Sequence, residues 1–208
     1  MWFAPFALGL TLIAGLIVAI GAQNLFVLQQ GLLRRHIGPV VLLCIVCDVA
    51  LTAAGVFGLA KVLAHAPVLA PVLTLAGSLF LGWCGIKAFG RATDAAAAGL
   101  PQPQPLAATL KQAAGFTLLN PHVYLDTVLL VGSIGASQSA FGRPWFVLGA
   151  ATASSGWFLA LGYGARLLAP FFARPAAWRV LDAIIGVMML AMAASLLIAL
   201  VHQLLPTR

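Results

Sequence analysis

The chain has 208 residues, of which 62% are hydrophobic and only 7% charged, and its mean hydropathy is +1.07. A soluble domain of this size carries roughly a quarter charged residues, so a water-soluble fold is excluded and a multi-span helical membrane protein is indicated. The net charge of +7 reports orientation rather than nucleic-acid binding, because the basic residues stand at span ends and form no patch.

Six spans are predicted, over about 2–30, 39–61, 66–89, 112–135, 145–168 and 178–203, each close to the ~20 apolar residues that cross a bilayer core. The first has no Lys or Arg before it and no small-residue cleavage pattern, so it reads as a span rather than a signal peptide. It is also too long. As one straight helix, 2–33 would extend about 48 Å against a core of about 30 Å, and Gly21-Ala22-Gln23-Asn24 is the natural place for it to break.

In the second span, Cys44, Asp48, Thr52 and Gly55 recur at i, i+4, i+8 and i+11 and share one face. Asp48 then lies near mid-membrane, where a carboxylic acid is a functional candidate by default. CIVCD (44–48) offers two thiols and a carboxylate to a soft metal. No further Cys or His is near, so the thiols read as small hydrophobes in helix interfaces and no metal is assigned.

After the third span comes GRATDAAAAGLPQPQPLAATLK, whose PQPQP run has no hydrophobic period and reads as a linker. The division is then 1–90 as a first three-helix repeat, 91–110 as a Pro/Ala-rich linker and 111–208 as a second repeat. AIGAQNLFVL (19–28) lies on TLLNPHVYLD so that Asn24 meets Asn120. DVALTAAGVFG (48–58) lies on SGWFLALGYG (155–164) with Gly55 on Gly162, and Gly77 falls on Gly186. Three matches in one order, with an odd number of spans per half, predict inverted repeats of the kind secondary transporters use.

The fourth span holds TLLNPHVYLDT (117–127), which puts Asn120, Pro121, His122, Tyr124 and Asp126 where lipid is expected. Pro121 lacks an N–H and displaces the carbonyl of Thr117. On an ideal helix Asn120, Tyr124 and Thr127 share one face while His122 and Asp126 take nearly the opposite one. A break at Asn120-Pro121 is therefore predicted, since irregular backbone at this depth lines a cavity or is packed in protein. Asp182 reads as a structural ion pair with Arg179, and Asp94 as a solvated linker residue. His36, His65 and His202 need no function, and Lys87, Arg143 and Arg166 read as interfacial anchors.

With the N-terminus outside, the inner loops carry eight basic residues (Arg34, Arg35, Lys87, Arg91, Lys111, Arg166, Arg174 and Arg179). The outer side carries Lys61, Arg143 and Arg208, so both termini are expected outside. No Walker lysine motif, GxSxG or His-Glu zinc helix is present, so no enzyme and no cofactor is expected. The expectation is an all-α membrane protein of six transmembrane helices in two inverted three-helix repeats, with helices 1 and 4 broken or kinked.

GAQNLFVLQQG (21–31) with Arg35-His36, CDVALTAAGVFG (47–58), LLNPHVYLDTVLLVGSIG (118–135) and LGYGARLLAPFFARPAAWRVLD (161–182) together resemble the LysE/ArgO family of L-lysine and L-arginine exporters. The likeness covers nearly the whole chain, and only the PQPQP linker is individual. It implies a multi-pass protein of the bacterial inner membrane that exports basic amino acids, driven by the proton gradient. On that reading Gln23, Asn24, Asp48, Asn120, Tyr124 and Asp126 bind substrate, while Asp48, Asp126 and His122 couple it to protons. The implied partners are L-lysine or L-arginine, protons and membrane lipid, with no nucleic acid and a homo-oligomer allowed. Two other classes stay open: an exporter of a metal or quaternary ammonium ion, using CIVCD or an aromatic cage of Tyr124 and Trp157, and a non-transporting assembly factor.

Overall fold

The computed structural model describes residues 1–18, 21–59, 69–93 and 104–204. Lys61, His65, Pro67, Asp94, Arg208 and the first three residues of PQPQP lie outside the described residues. Described in chain order are α1 (Phe3–Ile17), α2 (Ala22–Leu33), α3 (Ile37–Ala54), α4 (Leu69–Thr93) and α5 (Leu106–Leu118). Three consecutive helical segments, Pro121–Val123, Tyr124–Val131 and Gly132–Ala136, are numbered together as α6. Then come α7 (Gly142–Gly164), two 3-10 turns at Ala165–Leu168 and Phe171–Ala173, and α8 (Pro175–Leu204).

Four stretches are long and apolar enough to cross a membrane: Ile37–Gly58, Pro71–Thr93, Gly142–Leu168 and Ala176–His202. The bent pair α1 and α2 meets the same test when taken together. The fourth span predicted over 112–135 is divided where the break at Asn120-Pro121 was expected. The helix α5 stops at Leu118 and α6 starts at Pro121, and neither piece reaches the length of a full crossing. The interval between α4 and α5 is also narrower than the predicted 91–110, because helix runs on to Thr93 and resumes at Leu106.

Lipid is as apolar as these side chains, so helices here gain by close packing rather than by leaving water. The pair α1–α7 is the plainest case. A Cβ at Gly149 would overlap the Phe6 carbonyl, and one at Gly9 would overlap the Phe146 carbonyl, so glycine lets the two backbones touch. Trp2 and Trp145 meet at the end of that pair, with rings 5.4 Å apart. Along α4 and α8, Gly85 faces Leu190 and Gly186 faces Phe89 in the same manner. Past Ala54, α3 widens into a turn in which Gly58 takes φ 134°, a conformation that a side chain would resist.

The buried side chains form two cores. The larger joins α2, α3, α4, α5, α7 and α8 around Phe26, Phe116 and Phe158. The smaller joins α1, the end of α3, α6 and α7 around Ile13, Val56, Val131 and Phe146.

Candidate functional site

Two chain breaks build the site. At the first, α1 ends at Ile17 and α2 starts at Ala22 with its axis turned by 81°. Gly21, extended at φ −110°, ψ 177°, leads into α2 and supplies no side-chain cap. A helix end leaves carbonyls unpaired, and here the Asn24 amide donates to the Ile17 carbonyl at 2.9 Å. The Asn24 oxygen in turn accepts the indole N–H of Trp157 at 3.2 Å, which ties the break to α7.

At the second break, the Tyr124 hydroxyl donates to the Leu118 carbonyl at 2.8 Å. Asn120 caps the other side, its side-chain oxygen accepting the His122 N–H at 3.1 Å. Each break thus has a side chain from the helix after it donating to a carbonyl at the end of the helix before it. Beyond this point the stretch Tyr124–Val131 is wound wide as a π-helix, a local loosening that recurs at functional sites.

Between the breaks lies a cavity of about 380 Å³, walled by side chains from both cores. Six of the seven residues singled out in the sequence line it: Gln23, Asn24, Asp48, Asn120, His122 and Asp126. Tyr124 does not. On α6 the lining positions are 122, 123, 126 and 127, which form one helical face, and Tyr124 points away to its carbonyl partner. Asp48 reaches the cavity from α3 and accepts a hydrogen bond from the Ser154 hydroxyl at 2.9 Å. Gln23 presents a buried amide nitrogen with no hydrogen-bond partner within bonding distance among the described residues. The apolar part of the wall comes from Ile13, Ile17, Phe158, Met188 and Met192.

Ser154, Met188 and Met192 were not singled out beforehand. A serine or methionine in an apolar span carries no local signal, and only its neighbours across the bundle give it a role. An aromatic cage is not assembled, because neither Trp157 nor Tyr124 lines the cavity. No group of three His, Cys, Asp or Glu able to hold a metal occurs among the described residues. Cys44 is fully buried in the larger core.

Asp182 pairs with Arg91 at 2.8 Å, not with Arg179 as the sequence suggested. It is buried, and the Gln29 amide also approaches it at 3.4 Å. Arg179 is one turn away on α8 but exposed, whereas Arg91 comes from α4 across the helix pair. Lys87 sits over the Trp83 ring at 3.9 Å and Arg166 over Tyr163 at 5.7 Å. Arg143 donates to the Ala136 carbonyl at 2.8 Å, closing the C-terminal end of α6.

The family model described as LysE type translocator matches residues 14–200. The chain belongs to the LysE family. Within reach of this LysE-family chain are the candidate amino-acid transporter YggA of Aeromonas salmonicida and its namesake in Aeromonas hydrophila. The first is 43% identical over 93% of this chain and 96% of the relative. The second is 43% identical over 83% and 78%. The candidate amino-acid transporter Mb0498 of Mycobacterium bovis is 41% identical over 87% and 90%. No solved structure matches the chain. As a LysE translocator the protein is a multi-pass membrane protein and not an enzyme.

Proposed function

We propose that this LysE translocator exports basic L-amino acids, lysine and arginine, across the bacterial inner membrane in exchange for protons. One observation carries the reading: Asp48 and Asp126, from opposite halves of the sequence, line a single cavity between two broken spans. Its volume, about 380 Å³, is at the small end of ligand sites and suits one amino acid. A carboxylate at this depth holds either a proton or the cationic end of a substrate. His122, on the same face of α6 as Asp126, stands ready to pass the proton on.

The substrate carboxylate needs donors. Gly21, Ala22, Gln23 and Asn24 bring the N-terminus of α2 to the cavity, where first-turn N–H groups and the helix dipole favour an anion. The unpartnered Gln23 amide adds a donor from the side chain. At α6 the equivalent position is already occupied by Asn120, so α2 is the better carboxylate end. Moving a cation outward against the membrane potential costs about 2.3 kcal/mol per 100 mV, and inward passage of one proton cancels the charge movement.

An inverted repeat of six crossings is the architecture proposed for this transport, with the two-piece α5 and α6 as the sixth. Its support is a pair of mirrored contacts. Just past the end of α3, Gly55 abuts Gly132 of α6, and on α7, Gly162 abuts Gly31 of α2. Each is the second long helix of one half packed on the post-break piece of the other. Uptake of labelled lysine, arginine and a neutral amino acid into everted vesicles tests the function. Accumulation of lysine and arginine that collapses with the pH gradient is expected, and accumulation of the neutral amino acid alone overturns it.

A further inference from the structure

A second cavity, of about 410 Å³, opens where the ends of α4 and α5 flank the 94–105 interval. Three cations reach it, Lys87 and Arg91 from α4 and Lys111 from α5. One carboxylate answers them. Asp182 holds Arg91, and this is the one ion pair among the described residues. Asp48 and Asp126 belong to the other cavity, and Asp94 lies outside the described residues. Lys87 and Lys111 are exposed and have no ion-pair partner among the described residues.

We propose that this cavity binds the phosphate of an anionic phospholipid headgroup from the leaflet on the linker side. Lys87 and Lys111 supply the charge, and Gln112, whose amide also reaches the Cys84 sulfur, is in the same wall. Basic pockets between membrane helices recognise such headgroups. The deeper wall, Phe26, Phe80 and Phe116, is too apolar for a hydrated inorganic ion but suits a glycerol backbone. Outward from the cavity, α4 exposes Val72, Leu75, Leu79, Trp83 and Ile86. These positions recur at i, i+3, i+7, i+11 and i+14, a continuous track along which an acyl chain can lie. The cationic amino acids proposed as cargo are repelled by this cavity, so it is not their binding site. A lipid seated here bridges α4 of the first half to α5 of the second.

The test uses the full-length protein in mild detergent, titrated separately with phosphatidylglycerol, phosphatidylcholine and inorganic phosphate. Native mass spectrometry counts bound lipid and thermal melting reads stabilisation. Phosphatidylglycerol is expected to bind about tenfold or more tightly than phosphatidylcholine and alone to raise Tm. In Lys87→Gln/Lys111→Gln that preference is expected to vanish, while the exposed pair Arg174→Gln/Arg179→Gln keeps it. A phosphatidylglycerol preference undiminished from wild type in the first double variant overturns the proposal. So does a Tm rise of the same size with inorganic phosphate, which makes this a free-anion site. Lipid binding that appears only in Asp94→Asn also overturns it, because the chain's own carboxylate then fills the cavity. None of these readouts involves transport, so the lipid site and the export reading stand or fall separately.

Discussion

At the scale of single residues, chemistry at the first cavity concentrates on two carboxyl groups with different surroundings. Asp48 is held by the Ser154 hydroxyl, whereas Asp126 is exposed on the cavity face of α6. Asn keeps the size and polarity of either side chain and removes the exchangeable proton. Asp48→Asn and Asp126→Asn are each expected to abolish pH-gradient-driven lysine flux in vesicles while the protein still inserts. Wild-type flux in both would sink carboxylate exchange. Asp182→Asn has a different expected outcome. It leaves Arg91, 39% exposed, without its charge partner across the α4–α8 pair. Loss of a charge-assisted hydrogen bond there costs about 1.5–3 kcal/mol. Melting in detergent should fall accordingly, with the transport KM unchanged.

At the scale of elements, the breaks are as specific as the residues that line them. Tyr124→Phe removes only the donor to the Leu118 carbonyl, so a stability loss of about 1 kcal/mol is expected, with flux reduced but not abolished. An unchanged melting curve would mean that this bond does not hold the break. Gly132→Ala puts a Cβ 2.7 Å from the Gly55 Cα, a backbone clash that typically costs about 1–3 kcal/mol. If the halves are mirrored, Gly31→Ala costs a similar amount at Gly162, and melting of the two variants compares them directly. Both breaks were legible in the sequence, one from an over-long apolar run with glycine and amides inside it, the other from Asn-Pro. The direction of Tyr124 was not legible as a partner choice. Its hydroxyl bonds backward across a gap, and no periodicity anticipates that. The partner of Asp182 was equally hidden, because Arg91 is distant in sequence and Arg179 is near.

At the scale of the whole molecule, charge asymmetry is the organising feature. Among the described residues, the loop count assigns Arg34, Arg35, Lys87, Arg91, Lys111, Arg166, Arg174 and Arg179 to the linker side and Arg143 to the other. By the positive-inside rule the linker side is the one expected to face the cytoplasm. Gln104→Cys, in a chain freed of Cys44, Cys47 and Cys84, is expected to react with an impermeant thiol reagent in everted vesicles and not in intact cells. Labelling from outside alone would invert the proposed direction of the protein, and with it the side from which cargo is loaded. Composition foretold a membrane protein without ambiguity, since 7% charged residues leave nothing to cover with water. It did not foretell that the apolar run over 112–135 would be divided into two helical pieces, each too short to cross alone. That depends on how α5 and α6 pack against α3, which is a property of the assembled bundle.

The indole of Trp157 has a consequence for observation. Its N–H is bound to the very amide that closes the first break, so its excited state reports whether that closure is intact. In a chain keeping Trp157 and carrying Phe at Trp2, Trp83, Trp145 and Trp178, fluorescence becomes an optical gauge of the joint between α1 and α2. Loss of that hydrogen bond removes a polar partner from an otherwise apolar ring, and the emission maximum is then expected to move toward the blue. If lysine is the cargo, as proposed, lysine added under an imposed pH gradient is expected to shift this emission, with no reporter group attached to the protein.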